Sequence, residues 1–315
     1  MPESLTPSHR VRVDALDVIV QDVIAALKLR GTTPELPTGL PLLDKAIWGL
    51  HRGEVTILAA RPGEGKTSMA LQIAYHLAQQ GKRVLFVSLE MSREQLVERL
   101  LVQITQVDAW TLRTGQDLAP MLERLGAMNG LFKTLKLRVV DGIGYTMSQL
   151  QHLLNEVAEH AGGAPDVLVL DFIQLIALEH GMQKFDAIAE YLRSLKELGV
   201  RYNMATLICS QINRESGKNA KSKPRLENLK GSGSLEELAD CVLMCWWQEL
   251  GTEENPQGLK YWLLVEKQRN GPPGQMIPMR FDKEKLTFYS AEEPIAGWVG
   301  TSAALPKEES DGAPF

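Results

Sequence analysis

The sequence feature that most constrains the fold is a glycine-rich segment, ARPGEGKT at residues 60–67, which lies between an apolar run and a helical stretch. A strand, such a loop and a helix form a P-loop, in which backbone amides at the helix N-terminus point toward phosphate oxygens. Lys66 can bridge the β- and γ-phosphates of a nucleoside triphosphate, and the Thr67 hydroxyl can ligate Mg²⁺. The predicted nucleotide-binding residues are Arg61, Pro62, Gly63, Glu64, Gly65, Lys66, Thr67 and Ser68.

Three polar side chains stand where other predicted strands end. Asp171 closes the run VLVLD, Glu90 follows VLFVSL, and Gln211 follows ATLICS. Because the carboxyl ends of parallel strands meet at one edge of a sheet, we expect these side chains to converge there with Lys66. Asp171 then suits the metal, Glu90 the orientation of an attacking water, and Gln211 the sensing of the γ-phosphate. Taken singly, each has a plainer interpretation as a turn former, a helix N-cap region or an exposed amide, and the convergence favours hydrolysis.

Predicted strands and helices alternate from residue 38 to about 290, which is typical of an α/β domain with a largely parallel sheet. Strands are predicted at 54–60, 84–89, 136–140, 167–171 and 205–210, and helices at 66–80, 92–106, 146–160 and 184–199. After residue 240, four apolar runs follow without intervening helices, and a turn is predicted at Gly271-Pro272-Pro273-Gly274. We therefore expect antiparallel hairpins that extend the sheet.

The two ends of the chain differ from this domain. Residues 11–30 carry one apolar helical stripe, and a helix this isolated must dock onto the main body or onto a neighbouring subunit. The stripe consists of Leu16, Val20, Val23, Ile24 and Leu27. Residues 293–315 are small, polar and acidic without periodicity, which predicts disorder. The expected organisation is a helix within 1–37, one main domain at 38–292 and a tail at 293–315.

Composition excludes several classes of protein. With 44 % apolar and 23 % charged residues, the chain is typical of a soluble globular protein. It contains neither the ~20-residue apolar run of a membrane span nor a signal-peptide stretch, so a cytoplasmic location without membrane contact follows by default. The net charge of −5 does not suit bulk nucleic-acid binding, so any such site must be local. Cys209, Cys241 and Cys245 are too few and too oddly spaced for a disulfide framework or a zinc site, and we expect buried thiols.

The chain resembles DnaB-type replicative helicases in six segments that follow one another in the family's order. They are TGLPLLDKAIWGLHRGEVTILAARPGEGKTSMALQIA, VLFVSLEMSREQLVERL, VLVLDFIQLI, LICSQINRE, LKGSGSLEELAD and VEKQRNGPPG. The resemblance covers roughly residues 38–290 and implies a RecA-like P-loop ATPase core. It also implies a ring, usually a hexamer, with ATP and Mg²⁺ held between subunits and single-stranded DNA in the central channel.

The resemblance implies a role for each residue singled out so far. Lys66 and Thr67 match the family's phosphate and metal contacts, and Glu90 matches its catalytic glutamate. Asp171 matches the metal aspartate, and Gln211 matches the γ-phosphate sensor.

Three further residues gain a role only from the resemblance. Arg99 matches an arginine that family members place near the nucleotide base. Lys267 and Arg269 match a basic pair that reaches into the neighbour's site as an arginine finger, where it stabilises transition-state charge on the γ-phosphate. Without the resemblance, alternation on a solvated strand face would be the preferred interpretation of this pair.

A local excess of positive charge follows Gln211. Residues 214–230 hold six cations against two carboxylates, in a stretch rich in Gly, Ser and Lys. Such a loop suits contacts with the phosphates of single-stranded DNA, and without aromatic residues those contacts are independent of base sequence. A solvated loop explains the charges equally well, and the resemblance favours DNA. The predicted DNA-binding residues are Arg214, Lys218, Lys221, Lys223, Arg225, Lys230, Gly231 and Gly233.

This loop and both ends of the chain depart from the family. The family commonly has Arg and Glu where this chain has Lys230 and Gly231, which keeps the cation and makes the loop more flexible. Members from bacterial chromosomes carry an N-terminal collar that recruits primase, whereas only some 37 residues precede the motor here. The helix at 11–30 resembles the linker helix that packs on the adjacent subunit. The chain thus resembles minimal helicases of phages and plasmids, and recruitment of primase through a collar is not expected.

Alternatives remain open for the tail and for the function. The last eight residues resemble the docking tip of single-stranded-DNA-binding proteins, so they either bind a replication partner or, as their composition favours, are disordered without function. A RecA- or KaiC-like ATPase would assemble and bind DNA or protein without unwinding, but the segments KQRNGP and SLEMS favour the helicase. A small-molecule kinase is disfavoured because a lid-like arginine cluster is missing.

Overall fold

The fold is organised around one mixed β-sheet. The computed structural model describes residues 15–29, 31–160, 162–179, 184–212, 222–229, 232–249 and 259–290. The strands in these ranges are β1 (Val55–Ala60), β2 (Val84–Ser88), β3 (Leu137–Asp141), β4 (Val167–Asp171), β5 (Ala205–Gln211), β6 (Cys241–Glu249), β7 (Leu259–Gln268), β8 (Gln275–Asp282) and β9 (Thr287–Ser290). They pair in the order β3-β2-β4-β5-β1-β6-β7-β8-β9.

The sheet has a parallel part and an antiparallel part. Strands β1 to β6 run parallel to their neighbours, with β1 between β5 and β6. From β6 onward, β7, β8 and β9 pair antiparallel. The pairings confirm the predicted α/β class, the largely parallel sheet and the C-terminal hairpins.

Helices lie between the successive parallel strands, as parallel pairing requires, and two further helices precede the first strand. They are α1 (Leu16–Leu29), α2 (Pro41–Ile47), α3 (Lys66–Gln79), α4 (Arg93–Thr105), α5 (Ala109–Thr114), α6 (Ala119–Ala127), α7 (Asn129–Thr134), α8 (Met147–His160), α9 (Lys184–Arg201) and α10 (Ser232–Leu238). Helices α3, α4, α8 and α9 confirm the predictions within two residues. The short helices α2, α5, α6, α7 and α10 were not predicted, because six to nine residues hold too few turns for a periodic pattern.

The parallel strands other than β3 are buried on both faces, which explains their near-continuous apolar sequences. Successive strand residues face opposite sides, so Leu58 packs in a cluster with α3, whereas Ile57 packs in a cluster with α8 and α9. Both side chains are 0 % exposed, and burial of a side chain of this size stabilises a fold by about 1.5–3 kcal/mol. The sheet is thus a well-packed frame whose two edges hold polar side chains in defined positions.

The three cysteines lie inside this frame, as predicted. Cys209, Cys241 and Cys245 are free and buried. Burial raises the pKa of the Cys241 and Cys245 thiols to about 12. Neutral thiols in an apolar interior are chemically inert, so these residues serve packing.

Helix α1 leaves its apolar stripe exposed. Leu16 is 75 % exposed, and Val23 and Leu27 are each 50 % exposed. Docking onto the main body is therefore not observed, and docking onto a neighbouring subunit stays a prediction. The start of the predicted helix at 11–14 and the tail at 293–315 lie outside the described residues, so the three-part organisation also stays a prediction. Within the described ranges, no helix combines the length and the apolar character that a bilayer crossing demands.

Candidate active site

The predicted P-loop connects the end of β1 to the start of α3. Gly65 precedes the helix with a φ of 88°, a left-handed conformation that favours glycine. A Cβ at Gly65 would lie 2.7 Å from Cζ of Phe288 and 2.9 Å from Cζ of Phe281. The Tyr261 hydroxyl donates to the Glu64 carbonyl at 2.6 Å and ties the loop to β7. The antiparallel extension of the sheet therefore supports the P-loop directly.

A pocket of about 400 Å³ opens at this loop, a volume within the usual range of small-ligand sites. The predicted residues that line it are Arg61, Pro62, Gly63, Gly65, Lys66, Thr67, Ser68, Glu90, Arg99 and Gln211. Glu64 is not part of the lining, because its carboxylate turns back and accepts a hydrogen bond from the Arg61 amide at 3.0 Å. Burial raises the pKa of the Glu64 carboxyl above its ordinary value, although contacts with Arg61 oppose the shift.

Asp171 lies beneath the pocket with both carboxylate oxygens engaged. It is 0 % exposed, its Oδ1 lies 2.9 Å from Lys66 Nζ, and its Oδ2 accepts a hydrogen bond from the Thr67 hydroxyl at 2.6 Å. Lys66 Nζ also lies 3.9 Å from the centroid of the Phe172 ring, a cation–π contact. A buried carboxylate needs such a partner, so Lys66 and Asp171 compensate each other's charge.

Glu90 and Gln211 flank the pocket from neighbouring strand ends. Glu90 is exposed two residues after β2, and its carboxylate has no hydrogen-bond or ion-pair partner among the described residues. The Gln211 amide donates to Oε1 of Gln174 at 3.3 Å, and Nε2 of Gln174 donates to the Ser210 hydroxyl at 2.8 Å. Gln174, which the sequence did not single out, therefore fixes the end of β5 at which Gln211 stands.

Three further residues that line the pocket were not predicted from the sequence. Phe281, Lys283 and Leu286 line the pocket from β8 and the turn before β9. Lys283 Nζ lies 3.9 Å from the centroid of the Trp247 ring, which holds that side chain against β6. These residues follow the P-loop by more than 200 positions, and no local pattern relates them to it.

Lys267 and Arg269 do not line this pocket. Lys267 Nζ donates to the carbonyls of Glu236 at 2.5 Å and Glu237 at 3.2 Å. Arg269 donates to the Glu237 carbonyl at 3.2 Å, and its guanidinium lies 3.1 Å from Asp240 Oδ1. Burial, together with the charge of Arg269, lowers the pKa of Lys267. Both cations thus rest on the last carbonyls of α10, where a helix favours positive charge.

The register of the strands places this basic pair at the other edge of the sheet. Lys267 pairs with Val242, and Val242 pairs with Ile57, three residues before the P-loop begins at Ala60. At the rise of a β-strand this separation is about 10 Å before the loop itself is added. The predicted finger residues are therefore near the amino ends of the parallel strands, away from the chain's own P-loop.

Most of the predicted DNA-binding loop lies outside the described residues. This applies to Arg214, Lys218, Lys221, Lys230 and Gly231. Lys223 Nζ lies 3.5 Å from Glu266 Oε1, and the Arg225 amide donates to Oδ1 of Asn228 at 2.7 Å. Gly233 is exposed within α10.

A direct contact joins the P-loop to the basic segment. The Arg61 guanidinium donates to the Ser222 carbonyl at 2.9 Å, and Ser222 immediately precedes Lys223. Gln211, which precedes the predicted DNA-binding loop, lines the nucleotide pocket, and Ser222 within the loop contacts the pocket residue Arg61.

The comparisons with known proteins identify the family of the chain. The family model of the "DnaB-like helicase C terminal domain" matches residues 35–290. The chain is 33 % identical over 243 residues to the replicative DNA helicase DnaB of Pasteurella multocida (strain Pm70), an alignment that covers 76 % of this chain and 52 % of that relative. The chain spans about half the length of curated relatives such as this one.

Solved structures show the same fold. A DnaB-like replicative helicase, described with its interactions with primase, superposes with a TM-score of 0.78 at 22 % identity over 87 % of this chain and 68 % of that chain. A KaiC-like protein from Pyrococcus horikoshii OT3 has a TM-score of 0.56 at 20 % identity, over 82 % of this chain and 98 % of that one. Because the family model matches most of its length and the structure has the same RecA-like fold, the chain belongs to the family of DnaB-like helicase C-terminal domains.

Proposed function

We propose that this chain is the motor of an ATP-dependent DNA helicase, in which hydrolysis of ATP drives movement along single-stranded DNA and duplex unwinding during replication. The observation that carries the proposal is the meeting of Lys66 and Thr67 on the buried Asp171. That arrangement lies beneath a nucleotide-sized pocket with Glu90 and Gln211 among its lining residues.

ATP with Mg²⁺ is the ligand that this pocket suits. The Thr67 hydroxyl and the Asp171 carboxylate are oxygen donors, which Mg²⁺ prefers. The described residues contain no group of three or more His, Cys, Asp or Glu side chains that could hold a metal alone, as fits an ion that also takes phosphate and water ligands. When bound, Mg²⁺ neutralises charge on the phosphates. The Lys66 ammonium then contacts the phosphate oxygens in place of the Asp171 carboxylate, and Arg99 contacts the base.

Hydrolysis requires a group that orients water. Glu90 is the carboxylate at the pocket that is free of described partners, so it is available to accept a proton from an attacking water. Gln211, fixed through Gln174, contacts the γ-phosphate and transmits its presence to the segment that follows β5.

The site is completed by a second copy of the chain. Lys267 and Arg269 stand at the opposite edge of the sheet from their own P-loop, and in a ring they supply positive charge to the neighbour's γ-phosphate. The exposed stripe of α1 docks onto an adjacent subunit and holds the ring together, with six copies as the expected number. Catalysis therefore depends on assembly.

Single-stranded DNA is held by the basic segment that links Gln211 to α10. The proposed contacts are made by Arg214, Lys218, Lys221, Lys223, Arg225 and Lys230, with Gly231 and Gly233 providing flexibility. Because Arg61 donates to the Ser222 carbonyl, movement of the P-loop on hydrolysis displaces this segment. The bacterial cytoplasm is the proposed location, and the acidic tail is proposed to contact a replication partner.

The test is to assay ATP hydrolysis and strand displacement with and without single-stranded DNA. The wild type should hydrolyse ATP faster with DNA and displace a strand, and Lys66→Ala should lose both activities. Arg113→Ala, which removes an exposed arginine outside the pocket, should retain them. Hydrolysis that ignores DNA would overturn the proposal, and DNA-stimulated hydrolysis without strand displacement would favour a RecA- or KaiC-like ATPase.

A further inference from the structure

A second cavity lies at the amino ends of β2 and β3, at the opposite edge of the sheet from the P-loop. Its volume is about 500 Å³. The start of β2 forms one side, the end of α7 and the start of β3 form another, and the turn before β4 closes it. A five-residue strand separates this edge from the nucleotide pocket, a distance of about 16 Å. The two cavities are therefore different sites.

Among the residues that the structure describes, four cations and no carboxylate line this cavity. They are Arg83, Lys133, Lys136 and Arg138. The side chains of Lys133, Lys136 and Arg138 form no hydrogen bond or ion pair with any other residue that the structure describes. A solvated cation is ordinary on a flat surface, but several converging on one concavity with little counter-charge create a positive potential that low-dielectric walls focus.

The fourth cation is held in a fixed position. Nη1 of Arg83 donates to the Gly162 carbonyl at 2.6 Å. The Arg83 amide donates to Oδ2 of Asp166 at 2.7 Å, and Nε of its guanidinium lies 3.5 Å from the same oxygen. Gly163 has a φ of 110°, and a Cβ there would lie 2.3 Å from Arg83 Nη1. The turn thus accepts the guanidinium because residue 163 is glycine. Asp166 is also occupied by Arg52, at 2.9 Å, so it adds little free negative charge.

Apolar side chains form the rest of the lining. Leu135 and Leu137 contribute from the β3 side, and Val157 and Pro165 contribute from α8 and the turn. Cations beside an apolar wall match a ligand with anionic groups attached to a flat or apolar body. The cavity volume lies in the range of sites for small organic ligands, which exceeds what a single inorganic anion fills.

We propose that this cavity is a second anion site, which binds a phosphate-bearing ligand of nucleotide size through Arg83, Lys136 and Arg138. Lys and Arg are the side chains that proteins use for phosphate, and the apolar wall contacts the base. The ligand is either a free nucleotide or a nucleotide within a nucleic-acid strand, since both present the same phosphate-and-base chemistry. The proposal does not depend on the helicase activity, because none of these residues lines the P-loop pocket.

Photolabelling of the full chain tests the site. The first arm uses 8-azido-ATP, and the second uses a 5′-phosphorylated oligonucleotide with a photoreactive base, with labelled peptides mapped by mass spectrometry. Peptides containing residues 133–138 should be labelled in at least one arm. The double variant Lys136→Ala/Arg138→Ala should reduce this labelling at least about tenfold at subsaturating ligand, since each charged hydrogen bond to phosphate contributes that order.

Matched variants keep the result interpretable. Lys45→Ala/Arg113→Ala removes two exposed cations outside the cavity and should keep full labelling, and Lys66→Ala should lose labelling at the P-loop alone. If the Lys136→Ala/Arg138→Ala protein loses labelling by 8-azido-ATP, the ligand is a free nucleotide. If it loses labelling by the oligonucleotide, the ligand is a nucleic-acid strand. Labelling of residues 133–138 that is absent or equal in both double variants overturns the proposal. A Glu-rich peptide serves as an anionic probe without phosphate. If the Lys136→Ala/Arg138→Ala protein loses binding of this peptide but keeps labelling by both photoreactive probes, the proposal is also overturned.

Discussion

The two edges of the parallel sheet hold their charges in opposite ways. At the carboxyl edge, Lys66 is paired with the fully buried Asp171 inside a pocket. At the amino edge, Lys267 and Arg269 rest on helix carbonyls and remain partly open to solvent, with Asp240 beneath them. At the first edge the cation lies in a pocket beside a buried carboxylate, and at the second edge two cations are partly exposed. Under the proposed function, these two edges are the two halves of one hydrolytic site, and contact between copies of the chain would bring them together.

The largest expected effect comes from replacing Arg269, one of the two cations at the amino edge. Arg269→Ala should lower kcat for ATP hydrolysis about 10³-fold in the assembled protein, because a finger arginine stabilises charge that develops in the transition state. Steady-state kinetics with DNA measure this effect. Binding of ATP should change little, since Arg269 does not line its own chain's pocket.

Mixing variants distinguishes action between copies from action within one chain. An equal mixture of Arg269→Ala and Lys66→Ala protomers creates intact sites where the finger of one meets the P-loop of the other, in about a quarter of the interfaces. Activity should therefore reappear on mixing. Mixtures that stay as inactive as either variant alone would show that Arg269 does not act at the P-loop of a neighbouring copy.

We expect Asp240, which lies beneath Lys267 and Arg269, to stabilise the fold. Asp240 is 5 % exposed, accepts a hydrogen bond from the Val55 amide at 2.9 Å and lies 2.8 Å from Lys196 Nζ. Asp240→Asn keeps the amide contact but removes the carboxylate that pairs with the partly exposed cations of Lys196 and Arg269. The free energy of unfolding should therefore fall by about 2 kcal/mol, the size expected for hydrogen bonds to a charged group. Urea denaturation measures it.

The matched control is an exposed ion pair. Glu190 lies 3.5 Å from Arg193 with both side chains more than half exposed. Glu190→Gln should change the free energy of unfolding by less than about 0.5 kcal/mol. Equal losses in the two variants would mean that Asp240 has no special role at this edge.

We expect the stability of the sheet, in which Cys245 is buried, to depend on pH under alkaline conditions. Burial raises the pKa of Cys245 from 9.0 to about 12, so between these values the unfolded thiol loses its proton while the folded one keeps it. Stability should therefore fall as pH rises through this window. Between pH 8 and pH 10 the wild type should lose about 1.4 kcal/mol more than Cys245→Ala, measured by urea denaturation at both values. Parallel losses in the two proteins would contradict a dry environment for this thiol.

The smallest effect concerns the link from the pocket to the DNA segment. Arg61→Ala removes the hydrogen bond to the Ser222 carbonyl. The ratio of DNA-stimulated to basal hydrolysis should fall about threefold to tenfold, the range expected for one hydrogen bond. Arg113→Ala serves as the control, and an unchanged ratio in Arg61→Ala would show that the contact transmits nothing.

Local patterns predicted much of the carboxyl edge. The strand before the P-loop, its two glycines and the helix after it are contiguous, so their geometry follows from neighbouring residues. Glu90, Asp171 and Gln211 could be placed because each follows a buried strand, and parallel strands end at a common edge. Short helices such as α5 escaped prediction because a single cap decides them, here the Asp108 carboxylate accepting a hydrogen bond from the Trp110 amide at 2.6 Å.

The amino acid order by itself determined the phosphate cradle, the alternation of strands and helices and the buried thiols, since these depend on residues close in sequence or on apolar period. Tertiary structure alone decided which distant residues met. It brought Phe281 and Lys283 to the pocket, set Gln174 behind Gln211 and put Lys267 and Arg269 at the other edge of the sheet. The physical reason is that strand order and register are set by the packing of the whole sheet, and no short segment encodes them.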